Sequence, residues 1–262
     1  MAQPPLTPAE LRAAPLSGRA FVQMLNAARS QKYPDLPPLY RAMTGGELEQ
    51  DYLQAWIKDM YGYWDQLYYS TGGVFVKQNY EPVRINVIKK LVNIEGKDLA
   101  RQFNGATTPA YEELWLRFGE GMGIPRAETQ AWKAFTRTHF AITTLNLYSH
   151  GYEWTWLDGI ASFYAADLHS QACLQAAHEA LHRHYNAPAQ ALEFFRSYLA
   201  DVANDLAWEA AALEELSCTT ERQHTAAKAF RERLDMENQV AAAVWAAKDA
   251  AEKHEPLPVQ VP

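Results

Sequence analysis

The segment TTPAYEELWLRFGEGMGI, residues 107–124, decides the fold. It contains the signals of one complete short helix. Thr108 is placed to cap the helix, and Pro109 fits its first turn, where a missing N–H costs nothing. Gly123 is placed to end it. Large apolar side chains recur at helical spacing and predict one buried face: Tyr111, Leu114, Trp115, Phe118 and Met122.

The composition restricts the class of protein. The chain has 262 residues, of which 48% are hydrophobic, so it can bury a sizeable core. Its formal net charge is −7, which argues against nucleic acid or an anionic membrane as a partner. No apolar run approaches the ~20 residues of a membrane span. The two cysteines, Cys173 and Cys218, make neither a disulfide framework nor a tetrahedral cysteine metal site, and we predict a cytoplasmic protein.

Helical patterns follow one another along the chain, without alternating runs typical of β-strands. We therefore predict an all-α fold, a bundle of about seven to nine helices with a site between facing helices. Residues 1–18 are predicted to be a flexible leader because prolines are frequent there. Residues 19–254 form the predicted single domain, and the proline-rich residues 255–262 form a loose tail.

Turn residues divide the domain into individual helices. Gly72 and Gly73 are expected to end one long helix, and residues 186–188 to separate two others. Besides the helix of the opening segment and a short turn at 39–43, the predicted helices are 19–29, 47–69, 81–93, 126–147, 159–185, 189–216 and 219–253.

His178 and His182 belong to an H-E-x-x-H pattern. On a helix this pattern places two imidazoles on one face, as in zinc hydrolases. Arg183 adds a positive charge beside the pair, and no spacing supplies a third ligand, since His184 lies on another face and Glu193 follows a turn. The sequence therefore favours a solvated helix end, whose His and Arg side chains interact with the negative end of the dipole.

The opening helix, residues 111–124, resembles the equivalent helix of the haem-oxygenase-like superfamily. The relevant branch holds thiaminase II (TenA), pyrroloquinoline-quinone synthase (PqqC) and iron-dependent oxidases related to the chlamydial death-domain-associating protein (CADD). In those oxidases the helix begins with His and reads E-L-W-L-R-F-x-E-x-L-G. The resemblance continues in order through four further segments, near 39–63, 92–96, 163–167 and 194–198. It implies a haem-oxygenase-like helical bundle and a homodimer.

The resemblance carries the oxidases' metal site over only in part. Glu95 stands where their first carboxylate is expected, Tyr111 where a histidine is expected, and Asp167 in place of a glutamate. The remaining ligand positions hold, in two alternative registers, Ser197, Asp201 and Asn204 or Asp201, Asp205 and Trp208. Because no imidazole remains, we predict no metal and no cofactor. The quinone synthase implies that this fold can act without one, with O2 as a co-substrate.

Seven side chains are predicted to line a central cavity. The catalytic candidates are Asp167, Glu95 and Tyr111, and the substrate-binding candidates are Tyr40, Tyr63, Asp201 and Asp205. Buried carboxylates supply bases because desolvation raises their pKa, and tyrosines supply donors and flat walls. Asp167 is the strongest candidate because it follows an uncharged run. The plainer alternatives are core packing for Tyr111, a turn cap for Glu95 and a solvated stripe for Asp201 and Asp205.

The leading hypothesis is a metal-independent biosynthetic oxidase of TenA/PqqC type that acts on an aromatic or heteroaromatic metabolite. One alternative is a non-catalytic member that binds a ligand or partner with an eroded metal site. A second is a pyrimidine hydrolase of thiaminase II type. That family carries a nucleophilic Cys near positions 166–167, whereas Cys173 lies about two turns further along and is expected to pack in the core. Its late glutamate has no clean counterpart, although Glu237 lies in that region.

Overall fold

The structure, a computed structural model, describes residues 14–96, 109–134, 136–149 and 155–246. These residues form helices and no β-strand, which confirms the all-α prediction. In chain order the helices are α1 Gly18–Lys32, α2 Pro38–Thr44, α3 Gln50–Asp65, α4 Leu67–Lys77, α5 Glu81–Glu95, α6 Tyr111–Gly121, α7 Arg126–Ala131, α8 Thr136–Ser149, α9 Trp156–His184, α10 Glu193–Leu216 and α11 Thr220–Ala246.

The described part of the chain has eleven helices rather than seven to nine, mainly because two predicted helices are divided. The predicted helix 47–69 breaks at Gln66, and the predicted helix 126–147 breaks after Ala131. The predicted leader up to residue 13, the tail, and the end of the last predicted helix beyond Ala246 lie outside the described residues.

The glycines that were predicted to end helices do so at one position and not at another. Gly123 has φ of 84°, and the N–H of Ile124 donates to the carbonyl of Gly119, so the predicted end of α6 is confirmed. Neither Gly72 nor Gly73 has a positive φ, and α4 continues through both. A glycine ends a helix when it takes the left-handed conformation, which these two do not take.

Helix α6 begins two residues later than predicted. Ala110 is the N-cap, so Pro109 precedes the helix, and the predicted cap Thr108 lies outside the described residues. The predicted apolar face is fully buried between α3 and α10. Trp115 makes edge contacts with the rings of Trp56 and Phe194, with centroid distances of 5.4 Å and 4.9 Å. This aromatic packing fixes the side of the bundle that supports the site.

Helix α9 is the central element. It contacts α10, α11 and α2, and it is buried along most of its length. Thr155 and Asp158 form a capping box at its start, so the helix begins at a defined residue. Asp167, His169 and Cys173 are buried in its middle. None of the helices in the described ranges is long and apolar enough to cross a membrane.

Candidate functional site

A buried lysine gathers acidic side chains from two other helices. Lys90 of α5 places its Nζ 2.5 Å from Asp167 Oδ2 of α9. The same Nζ lies 2.8 Å from Asp205 Oδ2 and 3.3 Å from Glu209 Oε1, both on α10. All four residues are buried. One ammonium therefore holds three helices together through three carboxyl groups.

The charges of this cluster shift one another. Burial acts against the Lys90 ammonium, but the carboxylates, Asp167 foremost, outweigh it and hold the pKa of Lys90 well above its usual value. Burial raises the pKa of Asp167, an effect that Lys90 opposes and Asp205 reinforces. Burial and the charge of Asp167 raise the pKa of Glu209 well above its usual value. The carboxyl groups of Asp167 and Glu209 therefore remain protonated to a higher pH than the same groups do in water.

The Lys90 cluster forms one wall of a small cavity, called here the lysine cavity. Its volume is about 20 Å³, and its polar lining consists of Tyr63, Ser70, Thr71, Lys90, Tyr111, Asp167, Tyr198, Asp205 and Arg233. The Tyr111 hydroxyl donates to Asp201 Oδ2 at 2.9 Å. A cavity of this size has room for about one water molecule.

A second cavity of about 20 Å³ lies on the other side of Tyr63 and is called here the thiol cavity. Its polar lining consists of Tyr40, Tyr63, His169, Ser170, Cys173 and Glu237. The Tyr63 hydroxyl donates to Glu237 Oε1 at 3.0 Å, and Arg233 pairs with the same oxygen at 2.7 Å. Cys173 Sγ lies 3.5 Å from His169 Nε2. The cavity thus contains a thiol beside an imidazole.

Burial sets the protonation of this thiol and imidazole. It raises the pKa of the Cys173 thiol, and the charge of Glu237 adds to the increase. Burial lowers the pKa of His169, more than Glu237 raises it. At neutral pH the favoured state is therefore a neutral thiol beside a neutral imidazole.

A wider pocket leads from the surface to the same pair and is called here the outer pocket. Its volume is about 160 Å³, and it is lined by Arg29, Tyr33, Pro34, Asp35, Leu36, Pro37, His169, Ala172, Cys173, Leu234 and Asn238. His169 and Cys173 line both this pocket and the thiol cavity. The pair can therefore be approached from the exposed side of α1 and α9.

The structure brings most of the predicted residues together, in two places rather than one. Tyr63, Tyr111, Asp167 and Asp205 line the lysine cavity. Tyr40 lines the thiol cavity, which Tyr63 lines as well. Asp201 adjoins the first group through its hydrogen bond with Tyr111.

Glu95 lies apart from both cavities. It is exposed near the end of α5, and burial together with the charges of Glu112 and Asp65 raises its pKa. Its neighbour Ile94 lines the lysine cavity instead. The side chain points away because the buried face of α5 repeats through Val87 and Ile94, and position 95 falls outside that face.

Sequence reasoning missed Lys90, Glu209 and Arg233, and it expected Cys173 to pack in the core, where the structure places it. A signal existed for Lys90, since it lies in the buried series Val83, Val87, Lys90 and Ile94 of α5. A charge at a core position indicates an ion pair from another element. Its partners are more than 70 residues away in sequence, so spacing alone does not identify them.

The H-E-x-x-H pattern lies near the end of α9. Glu179 and His182 are exposed there, while the ring of His178 lies against Phe195 at 6.1 Å. Among the described residues, no group of three or more His, Cys, Asp and Glu side chains is arranged to hold a metal ion. The pattern therefore has no third ligand in this part of the chain.

The acidic residues of the lysine cavity do not fit the iron site of the related oxidases. The Lys90 Nζ lies within 3.3 Å of all three carboxyl groups, Asp167, Asp205 and Glu209. A metal ion bound by the same oxygens would meet this ammonium at close range and would be repelled by it. The Lys90 ammonium occupies the position at which those oxygens would have to bind a metal ion.

The protein-family comparison matches residues 28–247 to the TENA/THI-4/PQQC family. The chain belongs to this family. The match covers most of the predicted domain and confirms the resemblance that was first drawn from the α6 segment. No curated protein matches the chain in sequence.

Solved structures of low sequence identity share the fold. A domain of unknown function with a heme oxygenase-like fold from Shewanella denitrificans OS217 matches with a TM-score of 0.65 and 12% identity, over 93% of this chain and 96% of that one. A TenA homolog from Pseudomonas syringae pv. tomato DC3000 gives 0.61 and 11%, over 94% and 98%. A TenA homologue from P. horikoshii OT3 gives 0.59 and 10%, over 87% and 96%. The fold is therefore haem-oxygenase-like.

Proposed function

We propose that this TENA/THI-4/PQQC family member is a hydrolase that uses Cys173 as a nucleophile on a heteroaromatic amine, the thiaminase II type of chemistry. The carrying observation is the position of the Cys173–His169 pair. It lies 3.5 Å apart, sulfur to nitrogen, at the meeting point of the thiol cavity and the outer pocket. The carboxyl group of Asp167, by contrast, is held by the Lys90 ammonium.

The proposed reaction has two steps. In the first, Cys173 gives its proton to His169, its sulfur bonds to the carbon that carries the amine, and the carbon–nitrogen bond breaks. The leaving nitrogen keeps the bonding electron pair and takes the proton from His169. In the second, water bonds to that carbon, the carbon–sulfur bond breaks, and the water's proton returns through His169 to the thiolate. The sum is amine plus water to alcohol plus free amine.

The rest of the thiol cavity surrounds the reacting pair in this scheme, while the substrate ring occupies the outer pocket. Tyr40 and Tyr63 provide aromatic surfaces, and Glu237 fixes the Tyr63 hydroxyl at 3.0 Å. Arg233 neutralises Glu237 from the side of the lysine cavity. The outer pocket, at about 160 Å³, has the volume of a single ring with substituents.

The test uses the two cysteines as an internal comparison. Cys173 is buried in the site, and Cys218 is exposed elsewhere. Purified protein is incubated with thiamin and a panel of aminopyrimidines, and products are separated by chromatography. We expect product formation that Cys173→Ala abolishes and Cys218→Ala leaves unchanged. Intact-mass spectrometry should show a substrate-derived adduct on the wild type and none on Cys173→Ala. Turnover that survives in Cys173→Ala contradicts the proposal.

The lysine cavity favours a second candidate, the metal-independent oxidase. Tyr111, Asp167 and the Lys90 ammonium meet there, and a cation can stabilise negative charge that develops on a reduced oxygen species or an enolate. Oxygen consumption in the presence of electron-rich heteroaromatic compounds tests this candidate. Consumption that depends on Asp167 and not on Cys173 would favour it over the hydrolase. A homodimer is a further prediction, which sedimentation analysis checks.

A further inference from the structure

The outer pocket contains a guanidinium that has no partner among the residues that the structure describes. Arg29 lies in the last turn of α1, is half-buried and lines the pocket. Within the described ranges its side chain makes no hydrogen bond and no ion pair. Lys32 of the same turn differs, since its Nζ lies 2.5 Å from Asp235. The five N–H donors of this half-buried guanidinium are therefore available to solvent or to a ligand.

Arg29 also lies close enough to the thiol–imidazole pair to affect it. Its positive charge contributes to the lower pKa of His169, after the larger effect of burial. It also opposes the increase that burial causes in the pKa of Cys173. The remaining charged lining residue is Asp35, which is exposed at the pocket rim. Among the described residues that line the outer pocket, Arg29 is therefore the one with a permanent positive charge.

We infer that Arg29 is a specificity-determining residue, which binds an anionic group, a carboxylate or a phosphate, on the heteroaromatic ligand of the outer pocket. This inference rests on the proposed function. The planar guanidinium offers paired N–H donors that match two oxygens of such a group. The pocket volume of about 160 Å³ accommodates a ring that carries one. The ligand thus binds with its anionic group at Arg29 and its ring toward Cys173.

A plainer role for Arg29 makes different predictions. Arginine in the last turn of a helix interacts favourably with the negative end of the dipole, with an effect on stability alone. Removal of a dipole interaction changes the unfolding midpoint and leaves ligand selectivity unchanged. Loss of a binding group changes affinity for anionic ligands and leaves affinity for their neutral counterparts unchanged.

The experiment measures binding by calorimetry to the full chain carrying Cys173→Ala, so that no turnover occurs. The probes are a pyrimidine carboxylate, its neutral methyl ester and the matching pyrimidine-methyl phosphate. We expect Arg29→Gln to weaken the anionic probes about 10- to 100-fold and to leave the ester unchanged. Arg29→Lys should recover part of the loss. The matched control, Arg19→Gln, changes an exposed arginine of the same helix and should have no effect.

The outcomes separate this inference from the hydrolase proposal. The inference is overturned if Arg29→Gln binds both anionic probes as tightly as the protein with Arg29 does. It is also overturned if Arg29→Gln weakens binding of the neutral ester as much as binding of the anionic probes. The ratio of the two anionic affinities tells which group the guanidinium binds. If anionic selectivity depends on Arg29 while Cys173→Ala retains turnover of any substrate, the inference stands and the hydrolase proposal fails.

Discussion

The lysine cavity and the thiol cavity share Tyr63 and have nearly equal volumes, but they treat charge differently. In the lysine cavity, full charges face one another within 3.3 Å around Lys90. In the thiol cavity, the reactive contact joins Cys173 and His169, both favoured in their neutral forms. The ion pairs of the lysine cavity hold three helices together, whereas the thiol cavity contains a thiol and an imidazole without full charges. This difference is the reason that the proposed hydrolase chemistry is placed at the thiol cavity.

The ion pair of Arg233 and Glu237 connects the two cavities. Arg233 lines the lysine cavity, while Glu237 lines the thiol cavity and accepts from Tyr63. Both residues lie on α11, four positions apart, and both are buried. Helix α11 therefore contributes one member of a buried ion pair to each cavity.

The largest effect on stability is expected for the substitution Lys90→Met. This change leaves three carboxyl groups buried without their counter-ion and should lower the free energy of unfolding by about 3 to 5 kcal/mol. Carboxyls with a raised folded-state pKa contribute stability at low pH that is lost as pH rises, so the deficit should be larger at about pH 8 than at about pH 5. Denaturant unfolding measures both values.

Lys89→Met is the matched control, because Lys89 is the exposed neighbour on the same helix. It should change the free energy of unfolding by less than about 0.5 kcal/mol. Equal effects of the two substitutions, or a Lys90→Met deficit that shrinks with rising pH, would remove the structural role assigned to the lysine cavity.

Glu237→Gln is expected to have the next largest effect. It leaves the buried Arg233 without a counter-charge but keeps an acceptor for Tyr63, so we expect a loss of about 2 to 3 kcal/mol in unfolding free energy. The rate of turnover should fall as well, because Glu237 lines the thiol cavity together with Cys173. Glu221→Gln on the exposed start of α11 is the control. A stable, fully active Glu237→Gln protein would show that the two cavities are independent.

The third prediction concerns pH and His169. Burial lowers its pKa in the folded protein, so the unfolded chain binds the extra proton more readily. Stability is complete above the unfolded value of about 6.5 and is lost as the pH falls below it. His169→Gln should therefore reduce the slope of unfolding free energy against pH in that range, whereas His182→Gln, an exposed change on the same helix, should not. Identical slopes would contradict a buried neutral imidazole.

The smallest effect is expected for Tyr111→Phe. Its hydroxyl donates to Asp201 at 2.9 Å, and a hydrogen bond to a charged group contributes about 1.5 to 3 kcal/mol when buried, less at the half-buried Asp201. A loss of about 1 kcal/mol is therefore expected. A double-mutant cycle with Asp201→Asn isolates the pair. A coupling energy near zero would mean that Tyr111 acts through core packing alone.

Local signals in the sequence predicted the fold well where they depend on neighbouring residues. The apolar spacing of α6 and the end of that helix at Gly123 are both found in the structure. The pair Gly72–Gly73 was misread because glycine permits a left-handed turn without requiring one. Whether a helix continues through glycine depends on its packing, which is set by distant residues.

The candidate site was predictable only in its residue types. Asp167 was identified from the uncharged run before it, and it does lie in a cavity with Tyr111. Its partner Lys90 was not identified. The two residues are far apart in sequence, and only the tertiary fold brings the ammonium to the carboxylate. Cys173 packs in the core as expected, but the sequence does not show that His169 lies beside it or that both line a pocket.

By itself, the sequence determined that the chain is all-α, and through the α6 segment it indicated the family, because helical periodicity and a glycine stop are local properties. Only the tertiary structure decided which charges are neutralised and which remain available. The free energy of a buried charge depends on the groups within a few ångströms of it, and in this protein those groups come from α5, α9, α10 and α11. The α6 helix packs beside that arrangement, and the residues of the proposed chemistry, His169 and Cys173, lie on α9.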